Sequence, residues 1–86
     1  MSHDEVLKAV IQIIQDVFDD PSLEITPETT ADDVDGWDSM RHINIVVAVE
    51  AKFGIRFHTA ELESLRNVGD LVSLIEDRLK TASPVR

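Results

Sequence analysis

Asp38, Ser39 and His42 stand close together in the chain, and an acid, a hydroxyl and an imidazole are the parts of a nucleophilic triad. Parts alone do not make one. A triad needs a base oriented by a third group and donors aimed at an oxyanion, and a small helical domain offers no cleft to hold a substrate. His42 therefore reads as a partly buried or surface-lining residue, and catalysis at Ser39 is not expected. A second constellation, Asp32-Asp33-Val34-Asp35-Gly36, resembles a calcium loop of the EF-hand type. Its register fails: with Gly36 in the sixth place, Ala31 and His42 occupy the first and twelfth, where an acid and a bidentate glutamate are needed. No metal site is expected.

What remains is Ser39 in the run Asp35-Gly36-Trp37-Asp38-Ser39-Met40, at the start of a strongly apolar stretch. The first N–H groups of a helix lack internal partners and carry the positive end of the dipole, so an anion on or near Ser39 is stabilised there. The simpler reading is that Ser39 is an N-cap, a common place for serine. Its neighbours make the conjunction rarer: a long acidic loop, a Gly-Trp pair, an almost wholly apolar helix and a closing Phe53-Gly54-Ile55.

The elements that position these residues follow from periodicity. Val6, Leu7, Val10, Ile11, Ile14, Val17 and Phe18 recur at three- and four-residue intervals, which predicts a helix over 4–18, stopped by Asp19, Asp20 and Pro21. A long connection reaches Asp38, with Leu23, Ile25 and Val34 available to pin it to a core. The second helix covers 39–53 and ends at Gly54. Met40, Ile43, Ile45, Val46, Val47, Val49 and Phe53 cover most of its circumference and predict burial everywhere except a stripe of Arg41, Asn44, Ala48, Ala51 and Lys52. Thr59 is placed to cap a short helix over 59–65, and Asn67 with Asp70 opens a last helix over 68–80. Arg78 and Lys80 suit its C-terminal dipole, and the tail 81–86 is expected to fray.

Composition narrows the function classes. The 86 residues suit one compact all-α domain spanning 1–86. There is no cysteine, hence no disulfide or thiolate metal site, and no apolar run approaches the ~20 residues that cross a bilayer. A soluble, cytoplasmic monomer without membrane insertion is expected. The net charge of -9 divides unevenly: residues 1–38 hold eleven acids and one base, and residues 39–86 six acids and seven bases. Such a field argues against nucleic acid and steers basic partners toward the N-terminal half.

With these residues in view, the chain resembles the acyl carrier protein family from about Asp4 to Lys80. The family's Asp-Ser-Leu motif reads Asp38-Ser39-Met40 here, preceded by Gly36-Trp37. The resemblance implies a four-helix bundle with a long first loop and a short third helix. It also implies that Ser39, flanked by Asp38 and Met40, accepts 4'-phosphopantetheine from coenzyme A, carries an acyl or aminoacyl thioester, and catalyses nothing itself. The implied partners are a phosphopantetheinyl transferase, an acyl- or aminoacyl-loading ligase, and acyltransferase or synthase enzymes. Docking is expected at Asp35, Trp37, Arg41 and Asn44, with Trp37 more an anchor for the loop than a contact. Met40, Ile43, Val47, Phe57, Leu62 and Val68 are candidates to line a sheltered acyl chain, although ordinary core is the simpler role for them. The second helix departs from the acidic one of fatty-acid carriers, since Glu50 is its only acid. That points to a specialised lipid or secondary-metabolite pathway and, with no Pro- or Ala-rich linker at either end, to a discrete carrier. The competing reading is a small acidic helical interaction module without a prosthetic group.

Overall fold

The computed structural model describes the backbone of residues 2–81 and the side chains of 2–80. Four helices run in the order α1 (His3–Phe18), α2 (Ser39–Phe53), α3 (Thr59–Glu63) and α4 (Val68–Thr81), with one 3-10 turn at Ala31–Asp33 in the first loop and no strand among the described residues. The tail beyond Thr81 lies outside them.

Local chemistry sets each boundary. Ser2 caps α1: its hydroxyl accepts the Glu5 N–H at 3.2 Å, and the Glu5 carboxylate accepts the Ser2 N–H at 3.0 Å. At the other end Asp19 adopts the left-handed conformation, φ 53°, and the Asp19 and Asp20 N–H groups return to the carbonyls of Asp16 and Gln15. That left-handed cap ends the helix, two residues before Pro21. Gly54 closes α2 in the same way at φ 67°.

The core is a three-helix contact. Val6, Val10 and Ile14 on α1 meet Ile45 and Val49 on α2 and Leu71, Val72 and Ile75 on α4, and all of these are buried. The i, i+4 spacing on α1 aligns its three residues on one face. Ile25 and Val34 bury from the first loop, and Leu23 packs beside them.

That loop is also fastened to α4. The Thr29 and Pro27 carbonyls accept the Val68 and Gly69 N–H groups at 2.9 and 2.8 Å, so two otherwise orphaned donors of α4 are satisfied by a distant segment. Asn67 accepts the Asp70 N–H at 2.8 Å as expected, whereas the Asp70 carboxylate reaches past Asn67 to the Arg66 N–H at 3.0 Å.

Helix α3 is shorter than expected and contributes no buried residue. Its cap is His58, not Thr59: the Glu61 carboxylate accepts the His58 N–H at 2.9 Å, and Thr59 is the first helical residue. Arg78 does more than complement a dipole. It pairs with Glu61 and donates from Nε to the Arg56 carbonyl at 3.1 Å, clamping α3 and its approach to α4.

Helix α2 corrects a larger expectation. Ile45, Val46 and Val49 are buried, but Met40, Ile43 and Val47 are 67, 56 and 57 % exposed. Ile45 and Val49 join the core shared with α1, and Met40, Ile43 and Val47 lie on the opposite edge, toward solvent.

Candidate functional site

Ser39 is the first residue of α2, and Asp38 before it is the cap. The Asp38 backbone is extended, its Oδ1 accepts the Arg41 N–H at 2.9 Å, and its carbonyl accepts the His42 N–H at 2.9 Å. Asp38 thus caps the helix without the Ser39 hydroxyl, which is exposed and has no hydrogen-bond partner among the described residues. The N–H groups of Ser39 and Met40 are likewise without partners there. A hydroxyl and two free donors at the positive end of a helix dipole form a place for a phosphoester.

The turn that delivers Ser39 is held from several sides. Gly36 has φ +85°, a conformation glycine adopts without strain, and its carbonyl accepts the Asp38 N–H at 2.9 Å. The same carbonyl accepts Arg41 Nη1 at 2.9 Å. The Arg41 guanidinium lies 5.3 Å from the Phe18 ring centroid and 3.7 Å from Asp38 Oδ2. Arg41 therefore braces the loop it follows, tying the end of α1 to the start of α2.

Trp37 completes the brace. Its half-buried ring packs on the core and on Phe18, with centroids 5.7 Å apart, in a tilted geometry. Its Nε1–H donates to His42 Nδ1 at 3.3 Å, which requires that nitrogen to be unprotonated. His42 is thus a partner for an indole. The other residues expected to dock enzymes, Asp35 and Asn44, are exposed.

Two concavities flank this turn. An open groove runs beside Ser39, bordered by Ala31, Trp37, Asp38, His42 and Ile43. Behind Trp37 and His42 lies a cavity of about 60 Å³ reaching Leu65, Val68 and Leu71. Of the residues expected to line a sheltered chain, only Val68 borders this cavity. Ile43, Val47 and Met40 face outward, and Phe57 and Leu62 are half-buried away from it. No cluster of three or more His, Asp or Glu side chains suited to a metal occurs among the described residues.

Residues 8–75 match the family model described as a phosphopantetheine attachment site. The chain belongs to the acyl carrier protein family. Its relatives include an acyl carrier protein of Acidothermus cellulolyticus, 36% identical over 95% of this chain and 98% of that one. A meromycolate extension acyl carrier protein of Mycobacterium leprae is 34% identical over 98% of this chain and 72% of its own length. Among solved structures, the holo acyl carrier protein of Geobacter metallireducens superposes with a TM-score of 0.83 at 41% identity, covering 94% of this chain and 95% of that one. The all-helical, four-helix expectation holds. This carrier bears acyl groups on covalently attached 4'-phosphopantetheine, and the free donors at the start of α2 suit its phosphate.

Several contributions to the site were not foreseen from the sequence: the inward turn of Arg41, the Gly36 carbonyl that receives it, and the rings of Phe18 and His42 beside Trp37. The i, i+5 spacing of Gly36 to Arg41 and of Trp37 to His42 carries no recognised signal, because both contacts depend on the turn between them.

Proposed function

We propose that Ser39 Oγ is the attachment atom. The observation that carries this is an exposed hydroxyl released from capping by Asp38, beside the unpartnered N–H groups of Ser39 and Met40. A phosphopantetheinyl transferase binds coenzyme A and supplies the base that receives the Ser39 proton; the Ser39 Oγ–P bond forms as the pyrophosphate P–O bond of coenzyme A breaks and 3',5'-adenosine bisphosphate leaves, so the carrier itself needs no base. When bound, the arm supplies a thiol on which an acyl or aminoacyl group rides as a thioester. The chain's own part is to hold Ser39 at the tip of a braced turn and to present it to partner enzymes: a loading ligase, then acyltransferase or synthase enzymes.

The pathway is a specialised lipid or secondary-metabolite one. Within 39–53 the only acid is Glu50, and its carboxylate accepts the Phe57 N–H at 2.9 Å, so α2 offers no acidic ladder to a basic partner. Similarity to the meromycolate extension carrier supports the lipid branch. The carrier works as a monomer in the cytoplasm, where a reducing environment keeps the arm's thiol free for acylation.

Intact-mass measurement tests the assignment. Incubation of the apo protein with coenzyme A and a broad-specificity transferase should add one phosphopantetheinyl group to the wild type and none to Ser39→Ala. An unmodified wild type, or a modified Ser39→Ala, overturns it.

A further inference from the structure

The hydrogen bond between Trp37 and His42 makes the turn before Ser39 sensitive to a proton. An indole N–H only donates, so His42 Nδ1, 3.3 Å from Trp37 Nε1, must be the bare nitrogen of a neutral imidazole. The ring's one proton then sits on Nε2, which has no hydrogen-bond partner among the described residues. A second proton has a single place to go, Nδ1, the atom that holds the indole. Protonation and the bond therefore exclude each other.

The two rings belong to different elements. His42 is half-buried and fixed in α2, where its N–H donates to the Asp38 carbonyl at 2.9 Å. Trp37 precedes the helix and packs on Phe18, so its indole ties the turn carrying Asp38 and Ser39 to a helix already formed. Two charged side chains border the concavities beside the imidazole: Asp38 at the start of its own helix, and Arg66 from the segment between α3 and α4. The other lining residues, from the first loop, α2, that same segment and α4, are uncharged. Arg41, adjacent in sequence, is folded onto the Gly36 carbonyl and the Phe18 ring.

We propose that His42 is a positioning residue for arm addition: neutral, it holds Trp37 and the turn that presents Ser39; protonated, it lets both loosen, so that delivery of Ser39 weakens as pH falls. The proposal rests on Ser39 as the attachment point. Imidazoles take up their second proton between about pH 5 and 8. The effect is graded, because the Arg41 brace and the Phe18 contact hold the turn without a group that titrates in that range.

Arm addition to the apo chain is measured as kcat/KM from about pH 5.5 to 8, with coenzyme A and a broad-specificity phosphopantetheinyl transferase, on wild type, His42→Asn and His42→Ala. Asparagine offers an amide oxygen in place of Nδ1 and takes up no proton; alanine offers no acceptor. The ratio of wild type to His42→Asn at each pH removes the titration of the transferase and of coenzyme A. It should stay level at the upper end of the range and fall about threefold at the lower, whereas His42→Ala should be slow throughout, in constant ratio to His42→Asn. Trp37 is the only tryptophan, and its emission should pass through a step in the same interval in wild type and in neither variant. A level ratio, or wild-type emission without a step, overturns the proposal while arm addition to Ser39 stands. An emission step that persists in His42→Asn assigns the titration to another group and overturns it too. Where a variant does not fold by circular dichroism, the wild-type emission decides alone. Failure of the wild type to gain the arm at any pH overturns the Ser39 assignment and this proposal with it.

Discussion

The Asp38 carboxylate accepts the Arg41 backbone N–H at 2.9 Å, while the Arg41 side chain turns back to lie 3.7 Å from the same carboxylate. The two residues enclose Ser39, one through a cap and the other through a brace. Their separation of duties makes Asp38 the residue on which the start of α2 depends. Asp38→Ala should lower stability by about 1 kcal/mol in urea denaturation, as loss of an N-cap does, and Asp38→Asn should retain most of it. A loss in Ser39→Ala as large as that in Asp38→Ala would contradict this division.

Trp37 joins the loop to both α1 and α2 through Phe18 and His42. Trp37→Ala should cost about 1 to 2 kcal/mol, less than a fully buried tryptophan, because the ring is half-buried. It should also slow arm addition at Ser39. A variant slowed in modification with an unchanged melting temperature would make the indole a partner contact instead.

Gly54 ends α2 at φ 67°, and nothing lies within 4 Å of where a Cβ would stand. Conformation, not space, is therefore the constraint. Gly54→Ala should destabilise by about 1 kcal/mol, and Gly54→Asn by distinctly less, since asparagine tolerates the left-handed region. Equal losses in the two variants would point to an undetected packing role.

The Glu61 carboxyl lies below its ordinary value of 4.5, first because it accepts the His58 N–H and then because Arg78 bonds to it. A folded-state value depressed below the unfolded one gives a contribution that is complete above the unfolded value and is lost as pH falls through the folded value. Acidification below about pH 4.5 should therefore loosen α3 before the bundle as a whole. Amide exchange at His58, compared between wild type and Glu61→Gln, measures it: the pH-dependent step should vanish in the variant.

Much of this was legible in the sequence. The apolar period of 4–18 predicts α1 to within one residue, and Asn67 marks the start of α4 because amide caps are local. Asp38-Ser39 and His58-Thr59 were harder. Each pair offers two residues able to start a helix, and the winner depends on backbone angles that composition does not encode. The face of α2 misled for another reason: apolar residues around most of a helix signal burial, but a contact surface has the same composition. Met40, Ile43 and Val47 share that composition and are exposed. The carbonyls of Pro27 and Thr29 at α4 were invisible, because any residue has a carbonyl and only the fold says where it points.

Those two carbonyls couple segments about 40 residues apart in sequence. Lifting the first loop from the bundle strips the opening turn of α4 of its acceptors, so loop and helix must detach together. The α3 side is held differently: Ile55, Phe57 and Leu65 pack on the core at its two ends, Glu50 and Arg78 bond its approach, and Arg78 pairs with Glu61. The first loop and the opening turn of α4 form one unit, and the amides of Val68 and Gly69 report on both.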